Sequence, residues 1–84
     1  MKAKHRRTLA AIYRHPVSGT INWSAIESLL VAVGADIEER AGSRVAVILD
    51  GSVHVFHRPH PSPEMDKGAV RDVRDMLREA GIGP

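Results

Sequence analysis

The sequence has no cysteine among its 84 residues, and it has only one tryptophan, one tyrosine and one phenylalanine. Without cysteine, neither disulfides nor thiolate metal sites can stabilise the fold, so a chain this short must be stabilised by packing. A reducing compartment is compatible with that composition. The length predicts one domain, residues 1–84, with a single small core.

Long apolar runs are also absent. No stretch approaches the roughly 20 apolar residues that span a bilayer. The charged first segment, MKAKHRRTLAAIYRH, is followed by an apolar run too short and too interrupted for a signal peptide. We therefore expect a cytoplasmic protein with no membrane partner.

Acidic residues are missing from the first 26 positions, although the formal net charge is only +2. Five basic residues precede the first acid, Glu27: Lys2, Lys4, Arg6, Arg7 and Arg14. This asymmetry suits contact with phosphates or with an acidic partner, but a solvated basic helix is the commoner explanation.

Two helices are predicted in the first half of the chain. The first carries Leu9, Ile12 and Tyr13 at helical spacing and is ended by the connector HPVSGTIN. The second has one apolar stripe, Asn22 or Ser24 as its N-cap, Ser24 and Glu27 at capping-box spacing, and Gly34 as its stop. Its stripe consists of Trp23, Ile26, Leu30 and Val33.

Three strands are predicted next, at residues 37–39, 44–49 and 52–57. Asp50-Gly51 is typical of a type I′ turn, and counting back from it pairs Arg44 with His57. Both faces of this hairpin are apolar. They predict cover on both sides, by helices, by the N-terminal segment or by another chain.

A last helix is predicted from about Asp66 to the stop at Gly81, with Ile82 contacting Leu77 in a Schellman arrangement. Its first residues include Lys67 and Gly68, where free backbone N–H groups and a missing side chain favour an anion. Its charged face predicts a solvated surface.

The order helix, three strands, helix, with GSR opening the second strand and DKGAVRDVRDMLREAGI closing the chain, resembles the HicA family of toxin-antitoxin systems. The resemblance covers residues 23–82, and residues 1–22 look like a helical extension and connector. It implies an α+β fold of the double-stranded-RNA-binding-like class, a three-stranded antiparallel sheet with helices, here plus an additional N-terminal helix. It also implies mRNA cleavage without a metal or cofactor and neutralisation by a HicB-like antitoxin.

The family's catalytic motif is typically Gly-Ser-His, whereas Arg44 follows Gly42-Ser43 here. Attack by an RNA 2′-hydroxyl needs a base and an acid, and histidine titrates in the useful range. Arginine stays protonated, but it can bind a phosphate through two hydrogen bonds.

Candidate replacements come from the segment after the hairpin, which gives the predicted catalytic residues His57 and His60. The predicted RNA-binding residues are Arg44, Arg58, Lys67 and Gly68. The alternative interpretation is structural: His57 only borders the core, and Arg58-Pro59-His60-Pro61 is a rigid exit loop. His54 is expected to be buried in the core, and zinc is not expected because no familiar ligand spacing occurs.

Two functions remain open from the sequence. One is a toxin-type RNA endonuclease with a rearranged site. The other is a non-catalytic RNA- or protein-binding module of the same fold. A neighbouring gene for an antitoxin, and growth arrest on induced expression, would favour the toxin.

Overall fold

Residues 1–84 are described by a computed structural model with three helices and three strands. In chain order, the elements are α1 (Ala3–Ile12), α2 (Trp23–Ala32), β1 (Asp36–Arg40), β2 (Arg44–Leu49), β3 (Ser52–His57) and α3 (Lys67–Glu79). This arrangement confirms the predicted α+β fold with an additional N-terminal helix. None of the three helices has the length and apolar character needed to cross a membrane.

The strands form one antiparallel sheet in the order β1-β2-β3. Arg44 pairs with His57 and Leu49 pairs with Ser52, so the predicted hairpin register is confirmed. The turn sets this register because both of its residues, Asp50 (φ 51°) and Gly51 (φ 82°), adopt the positive φ that a type I′ turn requires. β1 extends one residue beyond the predicted strand at each end.

The core lies between one face of the sheet and the helices. Val45, Val47 and Phe56 are buried on that face, and the Trp23 ring packs against Phe56 with 6.0 Å between centroids. Helical side chains complete the core, including Leu9, Ile12, Ile26, Leu29, Leu30, Val70, Val73, Met76 and Leu77. His54 is partly rather than fully buried, and its ring stacks near Phe56.

The opposite face of the sheet is open. Val53 is 57% exposed and Val55 is 54% exposed. Of the three predicted covers, the N-terminal segment does not lie on this face, because α1 packs against α2 and α3. The apolar side of α1 is already used there: Leu9 and Ile12 are buried in the same core as the other helices.

α1 is also linked to the end of α3. The Tyr13 hydroxyl donates a 2.6 Å hydrogen bond to the carbonyl oxygen of Ile82, and the Arg78 guanidinium lies 5.5 Å from the Tyr13 ring centroid. These contacts join the N-terminal helix to the C-terminal end of the chain.

The predicted stops of α2 and α3 are confirmed. At the end of α3 the Ile82 N–H donates to the Leu77 carbonyl at 2.9 Å and the Gly81 N–H to the Arg78 carbonyl at 3.0 Å, which is the Schellman pattern. Gly81 has a φ of 75°, which a side chain would disfavour.

At the start of α2, one of the two predicted N-caps is confirmed and the predicted capping box is wrong. Asn22 is the N-cap, but its side chain makes no capping hydrogen bond. The capping box between Ser24 and Glu27 does not form, because the helix begins before Ser24 and the Glu27 carboxylate is bound to Arg58.

Candidate functional site

The Gly42-Ser43-Arg44 segment forms the tight connection from β1 to β2. Gly42 (φ 70°) and Ser43 (φ 62°) both adopt the left-handed conformation, which glycine tolerates and serine adopts at a cost. Two hydrogen bonds fix the loop: the Arg44 Nε donates to the Ala41 carbonyl at 2.9 Å, and the Arg58 N–H donates to the Ser43 carbonyl at 2.9 Å. The loop is thus held to the chain that leaves β3.

Arg44 and His57 are cross-strand partners at the open end of the hairpin. Opposite residues in an antiparallel pair project to the same face, here the open face that also carries Val53 and Val55. Both side chains are exposed. The predicted cation and the predicted base are therefore neighbours in contact with solvent.

Arg58 is paired with two carboxylates. Its guanidinium donates 2.6 Å hydrogen bonds to both oxygens of Glu39, and its Nη2 donates to Glu27 at 3.2 Å. The hydrogen bond from Arg58 lowers the pKa of Glu39 below its usual value, and the two carboxylates raise the pKa of Arg58 further. Arg58 thus joins α2, β1 and the end of β3, and its predicted role as a phosphate ligand remains a prediction.

His57 lines an open groove of about 550 Å³ between β3 and α3. Gly68 lies in the same groove, so the structure brings these two predicted site residues together. The other polar groups of the wall are Asp66, Arg71, Asp72 and Asp75. Three carboxylates beside one arginine make the groove unfavourable for a phosphate.

The sequence reasoning missed those carboxylates as part of a site. Gly68, Asp72 and Asp75 are spaced by four and three residues, which places them on one side of a helix. That spacing was visible in the sequence. What was not visible is that this side of α3 faces the edge strand that carries His57.

Lys67 and His60 do not line the groove that His57 lines. The Lys67 side chain extends over Gly19, where an added β-carbon would be 3.3 Å from its Cε. His60 is exposed in the segment between β3 and α3, and it neither lines the groove nor makes a side-chain hydrogen bond. Of the two predicted catalytic histidines, only His57 lines the groove.

The N-terminus of α3 is capped internally. The Asp66 side chain accepts a 3.1 Å hydrogen bond from the Ala69 N–H. This uses one of the free N–H groups that would serve an anion, and it places a carboxylate beside the others. No group of three or more His, Asp or Glu side chains is arranged to bind a metal ion.

The fold and the hairpin end define a small α+β protein with an exposed arginine-histidine pair where the second strand begins. Residues 23–82 match the family described as the HicA toxin of bacterial toxin-antitoxin systems. The match covers most of the chain, so this protein belongs to the HicA toxin family. No curated protein and no solved structure shows significant similarity to it. Residues 1–22, which include α1, precede the matched segment.

Proposed function

We propose that this toxin-family protein binds RNA and cleaves it without a metal, with His57 as the general base and Arg44 as the phosphate ligand. The observation that carries the proposal is the cross-strand pairing of Arg44 with His57. Where the family has its motif histidine, this chain has arginine, and a histidine lies directly opposite. His57 thus offers an imidazole at the same end of the hairpin, on the strand opposite Arg44.

The proposed reaction is an internal transesterification. His57 accepts the proton of a ribose 2′-hydroxyl as its oxygen attacks the adjacent phosphorus. The bond from phosphorus to the 5′-oxygen breaks, that oxygen receives a proton, and a 2′,3′-cyclic phosphate and a 5′-hydroxyl result. Arg44 stays protonated and stabilises the charge that builds up on the phosphorane oxygens.

His60 is the proposed proton donor. It is exposed on the segment that joins β3 to α3, outside the groove that His57 lines. Its action requires this segment to bring the imidazole to the leaving oxygen when substrate is bound.

The direction of substrate approach follows from the charges around His57. The groove on the α3 side contains Asp66, Asp72 and Asp75. On the sheet side the neighbour of His57 is Arg44. We therefore place the scissile phosphate on the sheet side, with Arg58 acting indirectly by holding the ends of β1 and β3 together.

A second candidate function is a non-catalytic binding module, and the open face of the sheet favours it. Val53 and Val55 are more than half exposed on this face, beside the arginine that replaces the family's histidine. Under this second function, a HicB-like antitoxin or another partner protein covers the open face, and the protein does not cleave RNA.

Two experiments distinguish the endonuclease from the binding module. One is induced expression without an antitoxin, and the other is an RNA cleavage assay in the presence of EDTA. The enzyme proposal expects growth arrest and RNA fragments that end in a 2′,3′-cyclic phosphate. Normal growth and intact RNA would refute the endonuclease proposal and favour the binding module. Copurification with the product of a neighbouring small gene would test for the antitoxin partner.

A further inference from the structure

A second polar surface lies on the helical side of the molecule, between α1, the connector and the first half of α2. It consists of two depressions of about 300 and 310 Å³ that share Thr8, Asn22 and Ala25 in their walls. We call this continuous surface the α1–α2 groove. No acidic residue lines it, in contrast to the groove beside His57.

Three cations line the α1–α2 groove: Lys4, Arg7 and Arg14. None of them takes part in a salt bridge within the chain. The nearest acid in the sequence, Glu27, is bound to Arg58. No ion pair within the chain therefore neutralises these three cations.

Hydrogen-bond donors accompany this charge. The N-terminus of α2 opens onto the groove at Asn22, Ser24 and Ala25, its first turn holds no acid, and its N-cap side chain makes no capping bond. The Trp23 N–H already donates to the Pro63 carbonyl and the Ala25 N–H to the Asn22 carbonyl, so the Ser24 N–H is the donor that this helix start offers to an anion. Hydroxyl groups along the walls add further donors, from Thr8, Ser18, Thr20, Ser24 and Ser28.

His5 gives an independent indication of a ligand. Its side chain lines the groove, is only 7% exposed and makes no hydrogen bond to the protein. Burial, followed by the charges of Lys4, Lys2 and the N-terminus, lowers the pKa of this imidazole. The His5 imidazole lines the groove beside Lys4 and has no hydrogen-bond partner in the chain, so its ring is available to a bound molecule.

From this geometry we propose that the α1–α2 groove binds the phosphodiester backbone of RNA. The inference rests on the proposed RNA-binding function, and it adds a surface that the family match at residues 23–82 does not contain on its own. Lys4, Arg7 and Arg14 would neutralise successive phosphates, and the hydroxyls and the start of α2 would donate to phosphate oxygens. The groove would hold RNA without reading its sequence.

The groove also continues towards a predicted RNA-binding residue. Ser18 and Thr20 lie in its wall, and the side chain of Lys67 extends over Gly19 between them. One strand of RNA following the cations would pass from α1 along the connector to the start of α3. This continuity favours RNA over a short acidic protein segment as the occupant.

The test measures binding of a fluorescent 2′-O-methyl oligoribonucleotide, which cannot undergo the 2′-hydroxyl attack, across a series of salt concentrations. The variant Arg7→Ala/Arg14→Ala removes two groove cations. Its matched control, Lys2→Ala/Arg6→Ala, removes two cations of the same N-terminal segment that do not line the groove. We expect the groove variant to lose about tenfold in affinity and to reduce the salt slope by about 1.4, since each single-strand phosphate contact contributes about 0.7. The control should keep the parental slope.

A second variant separates binding from folding. Ser24→Asp adds an acid to the first turn of α2, which favours the helix but repels a phosphate. We expect an unchanged or higher melting temperature together with RNA binding that is weaker than in Ser24→Ala, which removes the hydroxyl without adding a negative charge. The imidazole resonance of His5 should shift when the oligonucleotide is added to the parental protein.

The outcomes distinguish this inference from the proposed function. In one outcome, RNA binding falls in Arg44→Ala/Lys67→Ala but stays at the control level in Arg7→Ala/Arg14→Ala. That outcome would refute RNA binding by the α1–α2 groove and would support RNA binding elsewhere on the protein. Absence of RNA binding by the parental protein would overturn both. If Arg7→Ala/Arg14→Ala loses binding to poly-glutamate but keeps its binding to RNA, the occupant of the groove is an acidic protein segment. That result would refute the inference.

Discussion

Arg44 and His57 face each other across the last pair of the β2–β3 ladder, and both side chains are exposed. Their relationship is fixed by the turn at the other end of the hairpin, because a slip of one residue would move either side chain to the opposite face. The proposed base therefore has a rigid support, while the proposed acid, His60, lies on an irregular segment. This difference determines how the two histidines should respond to substitution.

We predict that His57→Ala abolishes growth arrest and RNA cleavage while the fold and RNA binding remain. The exposed ring contributes little to the core, and the loss of a general base typically costs a factor of about 100 to 10,000 in rate. His15→Ala, at another exposed histidine, is the matched control and should be as active as the parent. Cleavage is measured on a defined RNA with EDTA present. Full activity in His57→Ala would refute the assignment.

His60→Ala distinguishes the acid from a positioning residue. If His60 donates the proton, its loss should equal that of His57→Ala, and the parental rate should depend on pH as a bell with one limb from the base and one from the acid. The rising limb should then disappear with His57 and the falling limb with His60. A loss of less than about tenfold with the bell intact would assign His60 to substrate positioning only.

The structural features that the sequence predicted correctly are those that depend on residues close together in the chain. The hairpin register followed from two adjacent residues, Asp50 and Gly51, whose positive φ values are locally favoured. The end of α3 followed from Gly81 for the same reason. These features are local, so a single sequence contains the information that specifies them.

The parts that could not be predicted bring distant residues together. Arg58 meets Glu39 and Glu27, which are 19 and 31 positions away in the chain. Nothing in the spacing of these residues indicates the contact, so Arg58 was predicted as an RNA-binding residue without its two carboxylate partners. The acidic wall beside His57 was missed in the same way, because it depends on how α3 packs against β3.

The pairing of Arg58 with two carboxylates gives a pH-dependent prediction. The hydrogen bond from Arg58 lowers the pKa of Glu39 in the folded protein, so the stabilisation is present above the carboxyl's unfolded pKa. It is lost as the pH falls through the lower, folded pKa. We expect Glu39→Gln to melt below the parent at neutral pH and to converge with it in strong acid. Glu38→Gln, at the neighbouring exposed position, is the control; an equal effect there would contradict the assignment.

The open face of the sheet gives a prediction about partners. Val53 and Val55 are exposed together on one face, a patch that a covering chain would bury. Val53→Lys/Val55→Lys should abolish copurification with the antitoxin proposed above while leaving the melting temperature nearly unchanged, since neither side chain is in the core. Val31→Lys, at an equally exposed valine on α2, should keep the complex. Retained binding in the sheet variant would place the antitoxin on another surface.

The N-terminal helix should be an integral part of the folded unit, although it lies outside the family match. Leu9 is 3% exposed and Ile12 is fully buried among the side chains of the core. Replacing either residue with alanine removes buried methyl groups and leaves a cavity, which typically costs 2–5 kcal/mol. For a domain of this size, a loss of that order is a large part of the total stability.

We expect Ile12→Ala to lower the free energy of unfolding by about 3 kcal/mol in urea titrations, with Ala10→Ser, at an exposed position of the same helix, as the control. Hydrogen exchange gives the local measurement: the amides of Leu9 to Tyr13 should be protected in the parental protein. Amides that exchange at the rate of an unfolded chain, together with an unchanged unfolding curve in Ile12→Ala, would show that α1 is not packed on the rest of the molecule in solution.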